Sequence, residues 1–140
     1  MSATFYNVQP QSASTVVACD GVGNDAEIVT KSLSPSPDVP FQGWEFCAVI
    51  GTEGTYNIRN GDGIYLCAES TSANASIIGG ALTASNMLWV LEPVPNANNV
   101  YRIKLHGTSL FMTKNGTLLE LTDGNSTNAK WELWIDSDYP

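Results

Sequence analysis

An all-β domain of twelve short strands in three similar units is the fold class this sequence predicts. Three observations carry it. Trp44, Trp89 and Trp131 recur at intervals of 45 and 42 residues, and a period of that size marks an architecture assembled from repeated units. Each unit that a tryptophan closes is opened by a Tyr-x-(Val/Ile) triplet: Tyr6-Asn7-Val8, Tyr56-Asn57-Ile58 and Tyr101-Arg102-Ile103. Between these marks, Gly and Pro interrupt the chain too often for any apolar pattern of period 3.6 to last three turns.

Each unit divides into four runs rich in β-branched and aromatic residues, bounded by Gly, Pro, Asn, Asp or Ser, as strands are. The first unit, about 1–50, offers strands at 3–8, 15–19, 27–30 and 44–49. The second, about 51–95, offers 55–58, 64–67, 76–78 and 89–91. The third, about 96–140, offers 100–105, 109–112, 117–121 and 130–135. The turns agree. Asn115-Gly116 separates two apolar runs and is a strong hairpin signal, and Asn60-Gly61-Asp62-Gly63 does similar work in the second unit. Residues 33–43 contain Pro35, Pro37 and Pro40 and predict an irregular surface loop. The segments at 80–88 and 122–129 are its shorter counterparts.

A unit this small cannot bury its apolar face alone, so the three must share one interior. The expected core is Trp44, Trp89 and Trp131, with Tyr6, Tyr56 and Tyr101 and with Val8, Ile58 and Ile103. Val17, Leu66 and Phe111 extend it through the second strands, and Ile28, Ile77 and Leu118 through the third. Alternation of Tyr101, Ile103 and Leu105 with Arg102, Lys104 and His106 fits a strand with one inward face. Closure into one assembly would remove exposed sheet edges.

At 140 residues the chain is a single domain with room for a sizeable core. It is 43% hydrophobic and 14% charged, which excludes a disordered composition. Six Lys and Arg against fourteen Asp and Glu give a formal charge of −8. That disfavours nucleic acid and anionic membrane surfaces as partners. The amino terminus lacks a basic region followed by an apolar one, and no run approaches a membrane span, so a cytoplasmic protein is expected.

Three cysteines, Cys19, Cys47 and Cys67, cannot all pair within one chain, and their placement in strand runs predicts free, buried thiols. They lack metal-site spacing. His106 is a lone histidine in a turn, a poor start for a metal or catalytic centre. With no nucleophile elbow, paired carboxylates or phosphate loop, neither enzyme activity nor a cofactor or metal is expected.

Polar residues at strand ends are the candidates for function. Asp20 can accept charge-assisted hydrogen bonds from neighbouring sugar hydroxyls. Asn24 can donate and accept at once, and Gln42 can orient either the carboxylate or a ligand. Asp20-Gly21 is equally able to cap a turn. Phe41, an apolar ring in the Pro-rich loop, could cover that loop or a sugar face. A second candidate set is Lys114, Asn115, Asp123 and Asn125, with Asn128 nearby. Trp134 and Tyr139 lie beyond the repeated tryptophan and could pack on the amino-terminal strand or form a self-association patch.

The three aromatic unit ends and the four-strand rhythm resemble the β-trefoil fold across nearly the whole chain. Within the first unit, Asp20, Gly23, Asn24 and Gln42-Gly43-Trp44 resemble the short motif of ricin-B-type lectins. Size and Ser/Asn-rich loops are similar to the small cytoplasmic trefoils of mushrooms, a group of lectins and of serine and cysteine protease inhibitors. The resemblance implies binding of a galactose or N-acetylgalactosamine type of glycan through Asp20, Gly23, Asn24, Phe41 and Gln42, with agglutination requiring a homodimer or a further site. The second and third units depart from the motif. Met87 and Ala129 stand where Gln42 does, and Glu69 and Lys114 stand near the Asp20 position. No unit has the aromatic ring that such lectins often place at the end of the third strand.

The alternative implied by the same group is protease inhibition through a rigid loop, whose preorganisation lowers the cost of binding. Residues 33–43 would supply one such loop. Arg59-Asn60 and Lys114-Asn115 are expected in exposed turns, where a trypsin-like pocket could take the basic side chain.

Overall fold

The structure, a computed structural model, describes residues 4–11, 15–20, 27–32, 42–80, 86–125 and 127–135. The first unit forms β1 (Tyr6–Pro10), β2 (Thr15–Asp20), β3 (Glu27–Ser32) and β4 (Trp44–Ala48). The second forms β5 (Thr55–Asn60), β6 (Tyr65–Ala68), β7 (Ile77–Gly80) and β8 (Trp89–Pro93). The third forms β9 (Val100–Leu105), β10 (Phe111–Asn115), β11 (Leu118–Thr122) and β12 (Lys130–Ile135), with one 3-10 turn, Thr127–Ala129, before the last strand.

All twelve strands belong to one hydrogen-bonded sheet. Strands β4, β1, β12, β9, β8 and β5 are neighbours in that order, and a β5–β8 pairing closes them into a six-stranded barrel. The remaining strands form three hairpins, β2–β3, β6–β7 and β10–β11. These meet over one end of the barrel through Glu27↔Ile78, Leu118↔Val29 and Ser76↔Glu120. Closure leaves no barrel strand with an unpaired edge, which is what twelve short strands need to stay monodisperse.

The tryptophans join barrel to cap in the same way three times. Trp44, Trp89 and Trp131 each stand at the start of a barrel strand, first in β4 and β8 and second in β12, and are 0% exposed. Each indole N–H donates to a carbonyl of a hairpin strand: Trp44 to Val17 at 2.8 Å, Trp89 to Leu66 at 2.9 Å and Trp131 to Met112 at 3.0 Å. The ring fills the interior, and its one polar atom finds a partner there, as a buried indole requires. Val8, Ile58 and Ile103 are buried beside them, as expected.

This repeated bond exposes a one-residue slip in the expected third-unit core. Met112 holds the place of Val17 and Leu66, and it is Met112, not Phe111, that is fully buried. Likewise Leu119 is buried with Ile28 and Ile77, whereas Leu118 is 47% exposed. In a strand such a slip exchanges the faces. The hairpin turn moves too: Asn115 pairs with Leu118, so Gly116 and Thr117 form the loop, with Gly116 at φ +65°. β1 also starts later than expected and runs to Pro10.

Two further expectations change. Tyr6, Tyr56 and Tyr101 are half-buried, because they face the barrel interior at the end away from the cap. Cys47 is half-buried as well. It alternates with the inward-facing Trp44 and Phe46 and pairs with Asn57 on the outer face of β4. Cys19 and Cys67 are buried, and none of the three cysteines is in a disulfide.

Candidate functional site

In the first unit, Asp20 closes β2 opposite Glu27, at the start of the β2–β3 turn. Only the backbone of Asp20 is described, and Gly23, Asn24 and Phe41 lie outside the described residues. Trp44 Nε1 donates to Val17 O, so the segment from Gln42 to Trp44 docks on the strand that ends in Asp20. Asn7 Nδ2 donates to the Gln42 carbonyl at 3.2 Å and ties β1 to the same segment.

Gln42 itself is only 2% exposed. A side chain so covered cannot present its amide to a ligand in solvent. Its counterparts Met87 and Ala129 are 6% and 0% exposed. The position is therefore interior in all three units, and only the first places a polar side chain there. Burying an amide is unfavourable unless it is hydrogen-bonded, and Gln42 is not without a partner.

The second candidate set is split by the strand register. Lys114 pairs with Leu119 and Asn115 with Leu118, next to the turn of the β10–β11 hairpin. Asp123 follows Thr122, which pairs with Phe111 at the other end. At ~3.3 Å per residue the two pairs stand roughly 13 Å apart along the hairpin. Asp123 and Asn125 are engaged locally, the Asp123 Oδ1 accepting the Asn125 N–H at 3.1 Å.

The turn expected to display a basic residue does not do so at Arg59. This residue lies inside β5, opposite Glu45, and its Nε donates to Glu45 Oε1 at 2.7 Å. Asn60 is 2% exposed, and its Oδ1 accepts the N–H groups of Asp62 and Ile64, holding the following turn from within. Lys114 is half-buried in β10. Next to the Glu45–Arg59 pair, partial burial and then the Glu45 charge push the Cys47 thiol above its ordinary pKa. A thiol held protonated in this way is a poor nucleophile.

Sequence reasoning missed a concavity of about 550 Å³ at the end of the barrel away from the cap. Tyr6, Tyr56 and Tyr101 line it with Phe46, Leu91 and Leu133, two symmetry-related sets of three. Phe46 stands between two tyrosines, edge-to-face, with centroids 5.9 Å from Tyr6 and 6.2 Å from Tyr56. The signal was present in the sequence, as a Tyr opening each unit. Assigning those rings wholly to the core overlooked that a phenol has a polar end.

Among the described residues, no three His, Cys, Asp or Glu side chains gather as metal ligands, and no helix is long and apolar enough to cross a membrane. No protein-family model matches the chain, and no curated protein matches it. Solved structures do. A designed threefold-symmetric protein, ThreeFoil, superposes with a TM-score of 0.79 over 93% of this chain and 97% of its own, at 16% identity. The ricin B-like lectin of Macrolepiota procera, in complex with lactose, gives 0.74 over 95% and 96%, at 18% identity. The Polyporus squamosus lectin, bound to a sialylated influenza-binding epitope, gives 0.78 at 23% identity over 95% of this chain, which spans about half (49%) of that protein. Likeness at these identities is a likeness of architecture, and together with the closed barrel and its three capping hairpins it makes the chain a β-trefoil.

Proposed function

We infer that the protein binds carbohydrate, without catalysis, through the first unit. The observation that carries this reading is the buried Gln42. Met and Ala fill the equivalent interior position in the other two units, so the fold does not need an amide there. An amide kept beneath the strand that ends in Asp20 suits a role in orienting the groups above it. In this reading the Asp20 carboxylate accepts hydrogen bonds from two adjacent hydroxyls. Asn24 reads a third, Gly23 lets the backbone approach closely, and Phe41 covers the apolar sugar face. Gln42 holds the arrangement from behind. The trefoils bound to lactose and to a galactose-containing epitope lend support from the same architecture. A galactose or N-acetylgalactosamine unit is the proposed ligand, carried by glycoproteins or glycolipids, and a homodimer would add avidity.

The test is a glycan array probed with wild type and with Asp20→Ala. Galactoside signals present in the wild type and absent in the variant support the site. Signals that survive the substitution would remove the first unit from the reading. An array without signal, followed by tight inhibition of a trypsin-like or papain-like protease, would replace carbohydrate binding by inhibition.

A further inference from the structure

We propose that the open end of the barrel is a second, separate saccharide site, one that takes a pyranose with all-equatorial hydroxyls. It shares no residue with the first-unit site and goes beyond it. The concavity holds about 550 Å³, a size typical of small-ligand pockets. Its floor is Phe46, Leu91 and Leu133, which pack down on the buried core. Its wall is Tyr6, Tyr56 and Tyr101, one from each unit. Among the described residues no hydrogen bond engages the three hydroxyls, so they are free to meet a ligand. Exposed Thr4 and Asn99 add polar groups at the rim.

Two properties select the class of ligand. The first is charge. Among the described residues Glu45 is the only carboxylate lining the concavity, and Arg59 holds it at 2.7 Å on the outer face of the barrel. Aromatic walls with a free carboxylate would suit an organic cation. With the carboxylate neutralised, a neutral ligand fits better. The second is shape. A pyranose chair with equatorial substituents has an apolar face of axial C–H groups and a belt of hydroxyls around its edge. An apolar floor encircled by three symmetry-related hydroxyls is the complement of that chair. An axial hydroxyl leaves that belt: with the C–H face on the floor it points away from the phenols of the wall and loses its partner there.

The experiment is a titration of ¹⁵N-labelled full-length protein with methyl β-glucopyranoside, followed by amide shifts. The epimer methyl β-galactopyranoside and tetramethylammonium are run in parallel. Shifts from the glucoside should cluster at the starts of β1, β5 and β9, with millimolar affinity, and the galactoside should bind there about tenfold more weakly. Tyr56→Phe and Tyr101→Phe keep the rings and should each weaken the glucoside several-fold. Asp20→Ala should leave it unchanged while removing the galactoside response at the β2–β3 hairpin. Loss of that hairpin response alone bears on the first-unit site, so the two ideas fail independently. The proposal is overturned by an absence of glucoside shifts at the barrel end, by equal binding of both epimers there, by indifference to both Tyr→Phe changes, or by a response to tetramethylammonium alone.

Discussion

Replacing one indole by a phenyl ring isolates the bond that ties barrel to cap. In Trp89→Phe the ring stays aromatic and apolar, but the N–H that donates to Leu66 O at 2.9 Å is gone. Trp89 is 0% exposed and Leu66 1%, so no solvent reaches the abandoned carbonyl. Orphaning a buried acceptor costs about 1–3 kcal/mol. The smaller ring also loses roughly 1 kcal/mol of apolar burial. The expected total is about 2–4 kcal/mol, a large part of the ~5–15 kcal/mol that holds such a domain together. Urea unfolding followed by far-ultraviolet dichroism reads it as a lower midpoint at unchanged slope. Because Trp44 and Trp131 make the same bond at 2.8 and 3.0 Å, their Phe variants should fall by similar amounts. Trp134, 49% exposed on β12, is the control, and its Phe variant should change stability by less than about 0.5 kcal/mol. A Trp134 cost equal to the other three, or one core tryptophan replaceable without loss, would refute the repeated-anchor reasoning.

Gln42→Met should leave the unfolding midpoint close to wild type, since Met87 fills the equivalent place, yet abolish galactoside signals on the array. Gly124→Ala should destabilise by ~1–3 kcal/mol: Gly124 has φ +82°, and a Cβ there would lie 2.5 Å from Phe111 Cδ1. Adding Phe111→Ala should relieve the clash but not the backbone strain, which a double-mutant cycle in urea separates. Cys47 should react with iodoacetamide more slowly than a free thiol at pH 8, with its rate profile displaced to higher pH, because its raised pKa lowers the thiolate fraction. Glu45→Gln should move that profile part of the way back, burial being the larger cause.

The architecture was readable because large aromatics at a fixed interval survive differences in loops and turns. Trp44, Trp89 and Trp131 announced the units, and each sits in the same bond. Register was harder to read. Phe111-Met112 and Leu118-Leu119 are adjacent apolar pairs, and period-two alternation cannot say which member faces inward. The indole–carbonyl bonds decide it, and those exist only in three dimensions. Arg59-Asn60 read as a turn because Gly61-Asp62-Gly63 follows, but the strand runs on to Asn60 and Glu45 captures the guanidinium. At the candidate site, the residue types of Gln42 and Asp20 were visible in the chain. The burial of Gln42 was not, since it arises only when residues distant in the chain, such as Asn7 of β1, come to lie against this segment.

Pairing of β1 with β12 joins Tyr6 to Ile135, almost the two ends of the chain. During synthesis the first strand therefore emerges long before its partner exists. At ~5–20 residues per second, several seconds pass with β1 lacking its neighbour and the barrel unable to close. Two finished units still lack β9 and β12 and leave strand edges open to other chains. Barrel closure then waits on the third unit, where a slow codon cluster should send the product to aggregates while an equal lesion in a surface loop would not.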